Sequence, residues 1–334
     1  MGRDQRLRLI RGIESQRNSR LLVYITGDRR GLETKIAPDT FPFLLDHLSH
    51  MGHQEKIDLY LYSSGGIVMA GYAMVNLIRE FCDHLGVIVP FKAWSCATLI
   101  ALGADEIIMT RMGQLSPIDT SIESPLNPRL PGAIEPVPVS VEDVVSYIEF
   151  ARRELNIKDE DSLVRVFDRL SQSVHPLTIG SVGRSQKETS FLAKTLLAYH
   201  MKDSKKIDEV VDILTRGRFS HDYLMGRREA KEVLGLPVVD VMSTLETADV
   251  DLYKEYDKLL EISTPYHPEA VLGQEETAIR AFNRAVIESR NITYVFRTRK
   301  EVKRVSVGPP QVPVPSVAYS ERILSEGWVE DNTL

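Results

Sequence analysis

The chain has 334 residues, 43% of them hydrophobic, 26% charged and 7% aromatic, a globular composition of about two ~150-residue domains or one large α/β domain with an appendage. A net charge of −6 argues against nucleic acid as the main partner, and the two cysteines, Cys82 and Cys96, are too few for a disulfide framework, so a reducing, cytoplasmic setting is inferred. No uncharged apolar run approaches the ~20 residues that cross a bilayer, and the basic N terminus lacks the apolar centre of a signal peptide.

Residues 3–20 are arginine-rich and read as a solvated helix or arm. A first strand follows over residues 20–24. Pro38 and Asp39 then open a helix that runs through His53 and carries His47, His50 and His53. Steps of three drift around a helix, and no acidic or cysteine partner accompanies the imidazoles, so they read as a polar exposed face and no metal is assigned. The β-branched and aromatic run at residues 57–62 reads as a buried strand, and it stops at Ser63-Ser64-Gly65-Gly66. Such a stop predicts a tight turn where bare backbone amides approach a ligand. Apolar spacing from Val68 onward predicts a helix whose positive end faces that turn.

A second strand-to-helix unit follows, with a strand at residues 87–89 and a helix over residues 97–102. Ser95 stands at the junction. Taken alone it reads as a helix cap, its hydroxyl accepting an amide of the first turn. Cys96 beside it is a rival nucleophile, since a thiol at a helix N terminus has a lowered pKa. Repetition of β-α-β through residue 107 predicts a mainly parallel sheet covered by helices, with the glycine turn and Ser95 side by side.

Residues 123–140 are proline-rich and predict an extended loop or lid. Helices are predicted over residues 141–155, 161–170, 181–200, 207–214 and 227–234, and a last strand over residues 236–239. His175 precedes one helix, reading as a loop histidine or a rival base, and His200 suits C-terminal dipole capping. His221 lies between two helices and by itself reads as a surface histidine. Beyond Asp240, helices at residues 252–262 and 275–289 lead to a β-branched segment at 292–296, a basic stretch at 297–304 and a tail punctuated by Pro309, Pro310, Pro313 and Pro315.

The motifs Ser64-Gly65-Gly66, Ser95-Cys96-Ala97-Thr98 continuing to Gly103-Ala104-Asp105-Glu106-Ile107, Pro117-Ile118-Asp119, and His221 with Arg228-Glu229-Ala230-Lys231-Glu232 occur in this order. Together they resemble the Clp peptidase and crotonase superfamily, and most closely its ClpP-like serine dehydrogenase proteinase family. The resemblance spans roughly residues 21–240. It implies an α/β spiral of repeated β-β-α and β-α-β units with a helical insertion at 120–180, flanked by an arm at 1–20 and a C-terminal extension at 241–334. It also implies a serine peptidase with Ser95 as nucleophile, His221 as base and Asp119 orienting the imidazole, the backbone amides of Gly66 and Cys96 forming an oxyanion hole. No cofactor is implied. Peptides or unfolded chains are the implied substrates and a homo-oligomer the implied assembly, with any ATPase partner left open. Two other readings stand beside this one: a crotonase-type acyl-CoA hydratase or isomerase, and a non-hydrolytic scaffold in which Ser95 only caps a helix. A Ser/Lys dyad through Lys187 or Lys194 is a further alternative to the histidine base.

Overall fold

The computed structural model describes residues 2–118, 121–122, 124–130, 132, 135–215, 223–240, 243–307 and 316–334. In chain order its elements are α1 (Gly2–Arg17), β1 (Arg20–Thr26), a 3₁₀ turn (Pro38–Thr40), α2 (Phe41–Met51), β2 (Gln54–Tyr62), α3 (Val68–Arg79), β3 (Cys82–Val89), β4 (Lys92–Ala93), α4 (Cys96–Leu102) and β5 (Glu106–Met109). There follow β6 (Gln114–Leu115), β7 (Ser121–Ile122), β8 (Val139–Ser140), α5 (Val141–Arg153), α6 (Glu160–Ser173), α7 (Pro176–Leu197), α8 (Ser204–Thr215), β9 (Met225–Gly226) and α9 (Arg227–Glu232). The chain ends with α10 (Ser243–Leu260), α11 (Pro268–Leu272), β10 (Thr277–Glu288), β11 (Thr293–Val307) and β12 (Ser316–Glu330).

Among the described residues the central sheet runs β12-β11-β10-β1-β2-β3-β5. β1, β2, β3 and β5 are parallel to one another, as the β-α-β repetition predicts. The strands are apolar on both faces because both are covered. Leu22, Leu59, Leu61, Val87, Val89 and Met109 face one core with α2, α3, α4, α7 and α8. Their alternates Leu21, Val23, Ile25, Tyr60, Tyr62 and Ile88 face a second core under α1 and α10.

Several sequence expectations are corrected. The basic N-terminal segment is not a solvated arm. Within α1 Ile10 and Ile13 are buried, Arg6 donates to Glu288 at 2.6 Å and Arg17 donates to Asp58 at 2.9 Å, so buried carboxylates draw these arginines inward. Residues 275–289 form β10 rather than a helix, antiparallel to β1 through pairs such as Val23 with Glu288 and Ile25 with Val286. The proline-punctuated stretch lies outside the described residues, and the chain after it forms β12, antiparallel to β11. His47 is not on an exposed face: it is fully buried, its Nδ1 lies 2.8 Å from Ser289 Oγ, and burial lowers its pKa to about 4.

The predicted last strand is reduced to a single parallel bridge between Val238 and Ile107 beside β5. Among the described residues no group of three or more His, Cys, Asp or Glu side chains is placed to hold a metal. No described helix is long and apolar enough to cross a membrane.

Candidate active site

β2 ends at Tyr62, and the next five residues turn the chain into α3. Gly65 and Gly66 take φ values of 119° and 155°, which favour glycine because a side chain clashes with its own backbone there. A Cβ on Gly66 would also overlap the backbone of Ile36. That overlap follows from pairing, since Ile36 N donates to Gly65 O and Ile67 N donates to Ile36 O, both at 2.9 Å. Gly66's own amide and carbonyl take no part in this bridge. Ser63 secures the other side of the turn, its Oγ accepting from Gly65 N at 3.0 Å and from Thr26 Oγ1 at 2.6 Å.

Ser95 closes against this turn. A Cβ on Gly65 would lie 2.9 Å from Ser95 Cβ and 3.3 Å from Ser95 Oγ, so the glycine lets the two backbones meet. Ser95 sits at φ 52°, ψ −116° immediately before α4, and its side chain does not cap that helix. A capping serine ordinarily has extended backbone and spends its hydroxyl on the amide two or three residues on. Ser95 does neither, so the cap reading fails, and a strained turn between strand and helix is the setting in which a nucleophilic serine is presented.

Several hydroxyls keep the elbow in place. Ser95 N donates to Ser116 Oγ at 2.8 Å, Ser116 N donates to Thr98 Oγ1 at 3.0 Å and Thr98 Oγ1 donates to Ala93 O at 2.7 Å. Ser63 N donates to Lys92 O and Trp94 N to Ser63 O, tying the glycine turn to β4. Sequence reading missed Ser116 and Thr98, although both lie inside or beside the motifs; their role needs the loop after β6 to return to β4, with which β6 pairs in parallel.

The Cys96 thiol is excluded as the nucleophile. It is fully buried, donates to Ile67 O at 3.2 Å, and burial pushes its pKa up to about 12, so thiolate is scarce at neutral pH. Its backbone amide is different. As the first residue of α4 it precedes the helix's own hydrogen-bond ladder.

The remaining candidates separate. His175 is exposed and caps α7, its Nδ1 accepting from Leu177 N at 3.2 Å. Lys187 is exposed on α7, and Lys194 on the same helix pairs with Asp208 at 2.5 Å. His200 Nε2 lies 3.0 Å from Leu102 O, so it caps the end of α4 rather than of its own helix. Asp105 belongs to the framework. Burial opposes its ionisation, but Arg79 at 3.0 Å and the Leu85 amide at 2.8 Å outweigh it and hold the carboxyl below its ordinary value.

Asp119 and His221 lie outside the described residues. Their neighbours are described. Ile118 N donates to Leu214 O at 2.7 Å, and Leu115 and Gln114 pair with Met225 and Gly226.

A parallel β-α-β core thus sets a glycine turn against an elbow serine. Residues 2–135 match the ClpP-like SDH-type serine proteinases, a similarity that supports a ClpP-like peptidase. The chain is 27% identical over 259 residues to the uncharacterized protein MJ0137 of Methanocaldococcus jannaschii, covering 75% of itself and 79% of that protein. It is 26% identical over 245 residues to the uncharacterized protein MJ1495 of the same organism, covering 70% and 71%. Among solved structures, a mutant of the 1510-N membrane-bound stomatin-specific protease superposes with TM-score 0.39 at 14% identity, over 71% of this chain and 85% of that one. The ClpP protease catalytic domain from Plasmodium falciparum superposes with TM-score 0.35 at 13% identity, over 73% and 93%.

Proposed function

We propose that this chain is a serine peptidase in which Ser95, His221 and Asp119 form a triad and the amides of Gly66 and Cys96 bind the oxyanion. The observation that carries this reading is the uncapped, strained Ser95 packed against Gly65. Ser95 Oγ attacks the peptide carbonyl carbon while its proton passes to His221. The carbonyl oxygen takes the electron pair and is held by the two amides. Collapse breaks the C–N bond, with His221 returning the proton to the leaving amine, and water repeats the cycle on the acyl-serine ester.

The described neighbours support the assignment of base and orienting carboxylate. Asp119 follows Ile118, which is bonded to the end of α8. His221 stands four residues before Met225 in the sequence. Met225 pairs with Leu115, the residue before the Ser116 that holds the Ser95 amide. The described flanks of Asp119 and His221, Ile118 and Met225, thus approach the loop that holds the Ser95 elbow, which supports the reading.

An extended peptide fits the edge of the glycine turn as an added strand. The arm of α5 and α6 exposes Tyr147, Phe150, Leu155, Val164 and Phe167, which suits packing between subunits of a homo-oligomer. Reaction with a fluorophosphonate tests the proposal. Ser95 is the expected site of labelling, with labelling and peptide cleavage both abolished in Ser95→Ala and lowered by roughly a hundredfold or more in His221→Ala. Unchanged labelling in Ser95→Ala would sink it, and activity lost in Lys187→Ala or Lys194→Ala but kept in His221→Ala would replace the histidine by a lysine.

A further inference from the structure

A carboxylate outside the three proposed residues gathers the turn that presents Gly66. Asp28, on the loop after β1, accepts from Tyr62 Oη at 2.8 Å, from Ser64 Oγ at 3.1 Å and from Lys92 Nζ at 2.6 Å. These donors come from the end of β2, the glycine turn and β4. Lys92 is boxed by aromatic rings, 4.8 Å from the centre of Trp94 and 5.2 Å from that of Phe91, so its ammonium is directed to Asp28 rather than left to wander. Charge-assisted hydrogen bonds of this kind are short and about twice as strong as neutral ones. Ser64 directly precedes two glycines, the residues with the greatest backbone freedom. An anchor on Ser64 therefore limits where the Gly66 amide can be.

The Asp28 loop is held in turn from the C-terminal part of the chain. Gly27 N donates to Arg284 O at 2.7 Å, Arg29 donates to Thr264 O at 2.7 Å and pairs with Glu261. Arg284 of β10 donates to the carbonyls of Leu32 and Glu33. All of these supports lie beyond residue 135, where the family match ends.

We infer that Asp28 is a positioning residue for the hydrolytic reaction, fixing the Ser63–Ile67 turn so that the Gly66 amide is aimed at the developing oxyanion. The inference rests on the peptidase reading above. Asp28 touches neither substrate nor nucleophile, so its effect falls on turnover rather than on peptide binding.

The test combines kinetics on a fluorogenic peptide, fluorophosphonate labelling and amide hydrogen exchange across residues 63–67. In Asp28→Asn, kcat is expected to fall roughly tenfold or more with KM within about twofold, since a displacement of an ångström at a reacting centre costs about a hundredfold. Labelling slows in parallel, exchange in the turn quickens and the melting temperature is nearly unchanged. Ser64→Ala shows a smaller loss of the same kind. The double variant Asp28→Asn/Lys92→Met separates turn anchoring from neutralisation of Lys92. Turnover as slow as in Asp28→Asn supports positioning, whereas recovery overturns it and leaves Asp28 a counter-ion. Unaltered exchange or unaltered kcat in Asp28→Asn also overturns it, with the peptidase reading intact. A parent protein that neither cleaves nor labels removes the peptidase reading and this inference with it.

Discussion

Ser95 at φ 52° and ψ −116° occupies a region that costs a non-glycine residue on the order of 1–3 kcal/mol, and its surroundings hold it there through the Ser116 hydroxyl and the contact with Gly65. The two glycines give way differently. An added methyl on Gly66 overlaps the backbone O, N and Cα of Ile36, all within 2.8 Å, which cannot swing aside, whereas one on Gly65 meets Ser95 Cβ at 2.9 Å and the Trp94 carbonyl at 3.2 Å, a milder overlap centred on the serine. Gly66→Ala is therefore expected to lower stability by about 2 kcal/mol or more, read as a fall in melting temperature. Gly65→Ala is expected to slow fluorophosphonate labelling far more than it shifts melting. Equal behaviour of the two variants would contradict this division. The serine and both glycines were legible in the sequence because their spacing to the flanking strand and helix is local. The burial of Cys96 was not, since the Ile67 carbonyl that binds its thiol is 29 residues away.

Elements show the same divide between local and distant information. α2, α3, α4 and the strands β1, β2, β3 and β5 follow from their apolar spacing. β10 was misread because Thr277–Glu288 is rich in alanine and arginine, good helix formers, and only its pairing with β1 and β11 makes it a strand; tertiary pairing outweighs so weak a prior. α10 carries a second feature that no pattern announces. Asp249 is fully buried and neither carboxylate oxygen has a hydrogen-bond partner. Burial, opposed by Arg17 and reinforced by Asp58 and Glu246, raises its pKa to about 8. Below the ordinary carboxylate pKa of about 4 both folded and unfolded chains hold this proton. Between there and about pH 8 only the folded chain holds it, so stability falls as pH rises through that window. Asp249→Asn mimics the protonated acid, and it is expected to be near neutral at pH 4 and stabilising by about 1–3 kcal/mol at pH 8. Urea unfolding at both values checks this, and an identical difference at the two would sink the assignment.

At the scale of the whole molecule, one sheet joins a parallel half from residues 20–109 to an antiparallel half from residues 277–330. The sequence resemblance suggested a peptidase unit ending near Asp240 with an extension attached. The packing ties the two halves together. α1 lies against α10, and Ile10, Ile13, Val23 and Ile25 share a core with Leu252, Tyr256, Val286 and Val295. Arg6 of α1 and Tyr256 of α10 both donate to Glu288 of β10, a buried carboxylate whose removal leaves an unpaired guanidinium in an apolar setting, at a cost of roughly 3–5 kcal/mol. Cutting after Asp240 removes Leu252, Tyr256, Val286 and Val295 from this core, each worth about 1.5–3 kcal/mol if aliphatic, and turns β1 into an unpaired edge. Losses of that size rival the ~5–15 kcal/mol net stability of an ordinary domain. The 1–240 fragment is accordingly expected to lack a cooperative urea transition and to show no fluorophosphonate labelling at Ser95. A fragment that unfolds cooperatively and labels at the full-length rate would establish that the C-terminal strands are a separable appendage, and would also remove the support they are argued to give Asp28.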